Sequence, residues 1–143
     1  MKRASFEHSL LIRSDVTSAL KLLTDILHYP RWCPIVLQAD KLKSASNFLL
    51  RVRSGWLGST RTIQLELSSV TPTVIHGRLL QDPGRQAETR IQLAEQAGGI
   101  SLTAWTELHA ADLLFHEVLD GFHAAYGQFF THARRALEKR PNP

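Results

Sequence analysis

The chain contains seven histidines and one cysteine, and some of these residues lie close enough to carboxylates to raise the question of chemistry. Asp112, His116, Asp120 and His123 recur at three- and four-residue steps, which on a helix places them along one flank. Imidazole and carboxylate groups in such a row are ligands for divalent ions. The outer members stand too far apart along a straight helix to share one ion, and His-x-x-x-His is absent. A solvated flank is therefore expected, and no metal or other cofactor is assigned. Cys33 would be a nucleophile if His8 or His28 lay beside it, but it lacks the surroundings of known cysteine enzymes and reads as a packed thiol. Proton transfer could use His8, Arg51, Arg53, His76, Arg78, Glu107 or His109. All of these sit on alternating segments, and each is expected to face outward. No glycine-rich loop follows a strand and opens a helix, which sets aside nucleotide hydrolysis and hydride transfer.

The elements that must position these groups follow from changes of period. From Ala4 to Arg13, Phe6, His8, Leu10 and Ile12 alternate with Glu7, Ser9, Leu11 and Arg13, as in a strand with one face more buried than the other. Ser14 and Asp15 offer N-cap oxygens, and Val16, Ala19, Leu20, Leu22, Leu23, Ile26 and Leu27 recur at helical spacing to about Leu27. Pro30 and Pro34 disfavour helical geometry at Tyr29 and Cys33, so this stretch is expected to be extended or turned. About six strand-length runs follow, separated by turn-forming residues, and short connections favour antiparallel neighbours. From about Asp112 to Arg140, Phe115, Leu119, Phe122, Tyr126, Phe129, Ala133 and Leu137 mark a long helix with an aromatic stripe. That stripe is the one apolar face long enough to cover the sheet.

Three tryptophans remain. Trp32, between two prolines, is a core plug or a lid at a cavity mouth. Trp56, between Gly55 and Gly58, covers a cavity, reaches a partner or packs on its own hairpin. Trp105 alternates with Leu102, Ala104, Thr106 and Leu108, and the pattern leaves open which face points inward.

The 143 residues suit one domain spanning 1–143, and 43% hydrophobic with 21% charged residues is ordinary globular usage. The net charge of +4 comes from scattered Lys and Arg, so no nucleic-acid partner is expected. A lone cysteine is compatible with a reducing compartment, and no apolar run has signal-peptide or membrane-spanning length. A cytoplasmic protein without stable membrane insertion is expected, either monomer or homodimer.

The segment "LIRSDVTSALKLLTDILHYPRWCPIV", Trp105 within "SLTAWTEL" and the aromatic closing helix together resemble the SRPBCC superfamily. This group includes START domains, polyketide cyclases and dehydrases, and the birch-pollen allergen family. The resemblance implies the α+β helix-grip fold: a curved antiparallel sheet of about seven strands around a long C-terminal helix, with two short helices between the first two strands. It also implies a cavity between sheet and helix for a lipid, polyketide or isoprenoid-like molecule. Trp32, Trp56, Trp105, Phe115, Leu119, Phe122, Tyr126 and Phe129 are the expected ligand-binding residues. Two alternatives stay open: a cyclase or dehydrase using polar groups in the same space, and a protein-interaction module similar to coenzyme Q-binding or ribosome-associated members.

Overall fold

In strand β1 (Lys2–Ile12), Phe6, His8, Leu10 and Ile12 lie on the more covered side, and Glu7, Ser9 and Leu11 are exposed. The computed structural model describes residues 2–44, 46–54, 59–81, 84–111 and 115–139, apart from the side chains of Ser54 and Ser59. Helix α1 (Val16–Thr24) starts where Asp15 caps it, its carboxylate accepting from the Ser18 amide at 2.7 Å and the Ser18 hydroxyl at 2.9 Å. A cap of this kind stabilises a helix by about 1 kcal/mol. The helix ends at Thr24, earlier than its apolar spacing predicts, and a 3-10 turn covers Ile26–His28.

The structure corrects the expectation at Pro30. Residues Tyr29–Trp32 form a short helix, α2, and Tyr29 itself is helical at φ −51° and ψ −41°. Pro30 falls in the first turn, where a missing N–H leaves no carbonyl unpaired. Tyr29 is buried and its hydroxyl donates to the Leu23 carbonyl, so tertiary contacts override the local preference of a residue before proline. Cys33, before Pro34, is extended as expected, at φ −117° and ψ 102°.

Six further strands follow: β2 (Val36–Lys41), β3 (Asn47–Ser54), β4 (Ser59–Val70), β5 (Val74–Gln81), β6 (Arg85–Gln96) and β7 (Gly99–Ala110). The sheet is antiparallel in the order β1-β7-β6-β5-β4-β3-β2. Register shifts between Val36 and Gln38 and between Leu67 and Ser69 mark bulges, which bend strands. At the β6–β7 turn a side chain on Gly99 would lie 2.1 Å from the Ile12 carbonyl oxygen, so only glycine lets β7 start against the end of β1.

Helix α3 (Phe115–Glu138) packs on β1, α1 and α2. Phe130, Ala133 and Leu137, near its C-terminal end, are buried with Ile12, Ala19, Leu23, Leu93, Ile100 and Leu102. Toward its N-terminal end only Phe115 is buried, and Val118, Leu119 and Phe122 are partly covered.

Candidate functional site

The buried apolar residues form three clusters. One holds the C-terminal part of α3 with α1, β6 and β7. A second contains Ile26, Tyr29, Cys33, Val36, Phe48, Leu50 and Leu65. The third contains Ala87, Leu108, Ala110 and Phe115. Trp32, Leu67 and Phe129 border the first and second clusters, Leu79 the second and third, and Tyr126 the first and third. All five keep accessible surface. A domain of this size ordinarily builds one contiguous core. Here the side chains that should weld the core together remain only partly covered, along a seam between α3 and the sheet.

Polar groups enter this seam at two places. Thr89 on β6 and Thr106 on β7 are buried, their hydroxyl oxygens 3.1 Å apart, and the Thr89 hydroxyl donates to the Tyr126 hydroxyl at 3.0 Å. Burial pushes the Tyr126 phenol up to about 12, opposed by the Thr89 hydrogen bond. The second place joins β1 to α3. The His8 and His123 rings stack with centroids 4.7 Å apart, and Phe6 meets both edge-on at 5.6 and 5.2 Å. Gly127 makes room for this pair, since a side chain there would approach His8 Nε2 to 3.3 Å. The His8 pKa is lowered, first by burial and then by His123, against a raising effect of the His123 backbone. Among the described residues His8 Nδ1 and Trp32 Nε1 are buried without a hydrogen-bond partner. Trp32 packs against Tyr29 and Phe129, each at 5.2 Å between ring centroids.

Several expected residues are placed differently. Trp105 does not enter the seam. Its neighbours Ala104 and Thr106 are buried on the inner face, so the strand period turns Trp105 outward, under the Arg90 guanidinium at 4.4 Å. Glu7, Trp105, Arg90 and His76 form one cross-strand row on that outer face, in a groove of about 620 Å³. A second groove of about 590 Å³ lies between α1 and the Pro72–Thr73 turn; neither groove is the seam. Arg51, Arg53 and His76 are exposed. Arg78 pairs with Glu66 at 3.4 Å, and Glu107 with His109 at 2.6 Å and Arg3 at 4.0 Å. His8 is the correction among the proton-transfer candidates, because it faces α3. Among the described residues no three metal-ligating side chains converge; His116, Asp120 and His123 are exposed, as the solvated flank requires, and His123 in addition stacks on His8. Burial raises the Cys33 thiol pKa, which disfavours a nucleophilic thiolate. Trp56 and Asp112 lie outside the described residues.

Five seam residues escape the spacing argument. Phe130, next to Phe129, is the more deeply buried of the two, and a single three-four stripe admits only one of a pair. Thr89 and Thr106 share strand faces with Ala87 and Ile91 and with Ala104 and Leu108; that shared parity was the available signal. Leu67 alternates in β4 with Ile63 and Leu65 against Gln64, Glu66 and Ser68, a signal that was available, whereas the adjacent pairs Val74–Ile75 and Leu79–Leu80 of β5 blur the face of Leu79.

No protein-family model and no curated protein sequence matches the chain. Solved structures do. A START superfamily protein from Mycobacterium smegmatis superposes with a TM-score of 0.78 at 12% identity, covering 94% of this chain and 97% of that one. Ara h 8.0201 superposes with a TM-score of 0.80 at 12% identity, over 97% and 100% of the two chains. This chain has the START-like helix-grip fold. A di-domain ARO/CYC, StfQ from the steffimycin biosynthetic pathway, gives 0.77 at 15% identity over 96% of this chain, which spans 51% of its length. The helix of this START-like grip is α3, and the seam lies where the grip is loosest. Among the described residues no helix is long and apolar enough to cross a membrane.

Proposed function

We propose that the chain binds a small, largely apolar molecule in the seam between the inner face of the sheet and α3. The observation that carries this reading is the divided core: Trp32, Leu67, Leu79, Tyr126 and Phe129 border two clusters each and keep accessible surface. Covering such surface stabilises by about 25 cal/mol per Å², so a guest completes packing that the chain leaves unfinished. Phe115, Leu119 and Phe122 form the α3 wall toward one end, and Trp32 with Tyr29 forms the opposite wall. Trp32 then serves as both plug and wall. Trp105 is not part of the site.

One observation favours a second reading, a polyketide cyclase or dehydrase acting in the same space. Two groups able to take part in proton transfer, His8 and Tyr126, lie on the inner side. Lowering of its pKa leaves His8 neutral near pH 7 and suited to accept a proton. The binding reading needs neither group to react.

Filling the seam tests the proposal. Wild-type protein titrated with 2-ethylnaphthalene, followed by naphthalene fluorescence, is expected to show saturable one-to-one binding. Leu79→Trp places an indole where the second and third clusters meet, and is expected to abolish that binding while the thermal midpoint holds or rises. Undiminished binding in the folded variant would refute a seam site.

A further inference from the structure

The hydroxyls of Thr106, Thr89 and Tyr126 form a chain with a fixed direction. Thr89 donates to the Tyr126 oxygen, which spends the one proton a threonine hydroxyl owns. The 3.1 Å contact between Thr89 and Thr106 must then be donated by Thr106. Protons run from β7 to β6 to α3, and the chain ends on the Tyr126 O–H. Among the described residues Thr89 is the one hydrogen-bonding partner of that hydroxyl, and it uses the oxygen's lone pair. Among the described residues the phenolic proton has no acceptor. A buried donor left unpaired is costly, and Tyr126 stands where the first and third clusters fail to join.

We infer that the seam selects an apolar molecule carrying a hydrogen-bond acceptor, such as a ketone, quinone or ester carbonyl, received by the Tyr126 hydroxyl. This rests on the seam being the binding site and adds the polar chemistry of its ligand. The direction of the chain does the selecting. An alcohol can also accept from Tyr126, and the acceptor its own proton then needs is offered by His8, whose ring meets the same Phe6 and Phe130 rings and whose Nδ1 has no partner among the described residues. A hydrocarbon leaves the phenol unpaired. A carbonyl completes the phenol's bonding. The raised pKa keeps the phenol protonated across the physiological range, so the preference does not depend on pH there.

Three probes of nearly equal shape test this: 2-acetonaphthone, 1-(2-naphthyl)ethanol and 2-ethylnaphthalene. Wild-type protein is expected to bind the ketone about fivefold more tightly than the hydrocarbon, the worth of one neutral hydrogen bond, and the alcohol, which also accepts from Tyr126, more tightly than the hydrocarbon. In Tyr126→Phe the ketone's advantage over the hydrocarbon disappears, while hydrocarbon affinity stays within about twofold. Thr89→Val, which removes the donor behind Tyr126, is expected to weaken ketone selectivity only in part, and serves if Tyr126→Phe fails to fold. The carbonyl stretch of bound 2-acetonaphthone reports the bond directly, shifted to lower frequency in wild type and not in Tyr126→Phe. Equal binding of ketone and hydrocarbon in wild type, or selectivity that survives in Tyr126→Phe, overturns the inference and leaves the seam site standing. Failure of all three probes to bind overturns both.

Discussion

The two ends of α3 are packed in opposite ways. At the C-terminal end Phe130, Ala133 and Leu137 press onto α1, β6 and β7 with almost no surface left. The Glu138 carboxylate accepts from the Arg13 amide at 3.0 Å, fastening the helix to the end of β1. At the N-terminal end Val118, Leu119, Phe122 and Tyr126 are half covered, and Gly121, with nothing within 4 Å of a side chain placed there, adds backbone freedom to the helix interior. One helix thus has a tightly buried end and a less covered one. Stability should come from one end and binding from the other.

The largest expected effect separates the ends directly. Phe130→Ala should cost about 3–5 kcal/mol of stability, as for a fully buried aromatic. Phe122→Ala should cost about 1–2 kcal/mol, because less surface and a smaller cavity are involved. Urea unfolding of the two variants measures the contrast. Equal losses would mean that the two ends are packed alike.

Acid is expected to act on the middle of the helix. Folding holds the His8 pKa below the usual 6.5, so the folded state favours the neutral ring. Stability from this group is full above about 6.5 and declines as pH falls through the lowered value, because the unfolded chain takes up the proton first. On the α3 side the titratable side chains in its ring cluster are His123, stacked on it, and Tyr126, linked through Phe6. Melting curves between pH 7.5 and 5.5 should show a larger drop in midpoint for wild type than for His8→Phe, and parallel drops would assign the acid sensitivity elsewhere.

The smallest effect belongs to the outer face. Trp105→Ala should cost about 1 kcal/mol or less, since its contact with Arg90 is a surface cation–π pair, and should leave naphthalene binding unchanged. Lost binding would place the site on the wrong side of the sheet.

These contrasts mark where the residues were readable. The alternation of β1 and the stripe of α3 are long, and their inner residues follow from period alone. Trp105 was hard to place because it is the one large apolar residue on the parity of Ser101, Thr103, Glu107 and His109; the opposite parity, Ile100, Leu102, Ala104, Leu108 and Ala110, was the better guide to the covered face. His8 was named but expected outward; its position in phase with Phe6 and Ile12 was the better guide. The helical Tyr29 depended on a contact with Leu23, a packing fact that no local preference contains. Thr89 and Thr106 matter because a tyrosine arrives from a helix distant in the chain, and only the assembled sheet brings the three hydroxyls together.

β1 lies at one edge of the sheet, and its partner in the ladder is β7 alone, roughly 100 residues later. Of the seven strands, the one earliest in the sequence pairs with the one latest in it. Closing a loop of that length makes slow assembly the natural consequence of this strand order.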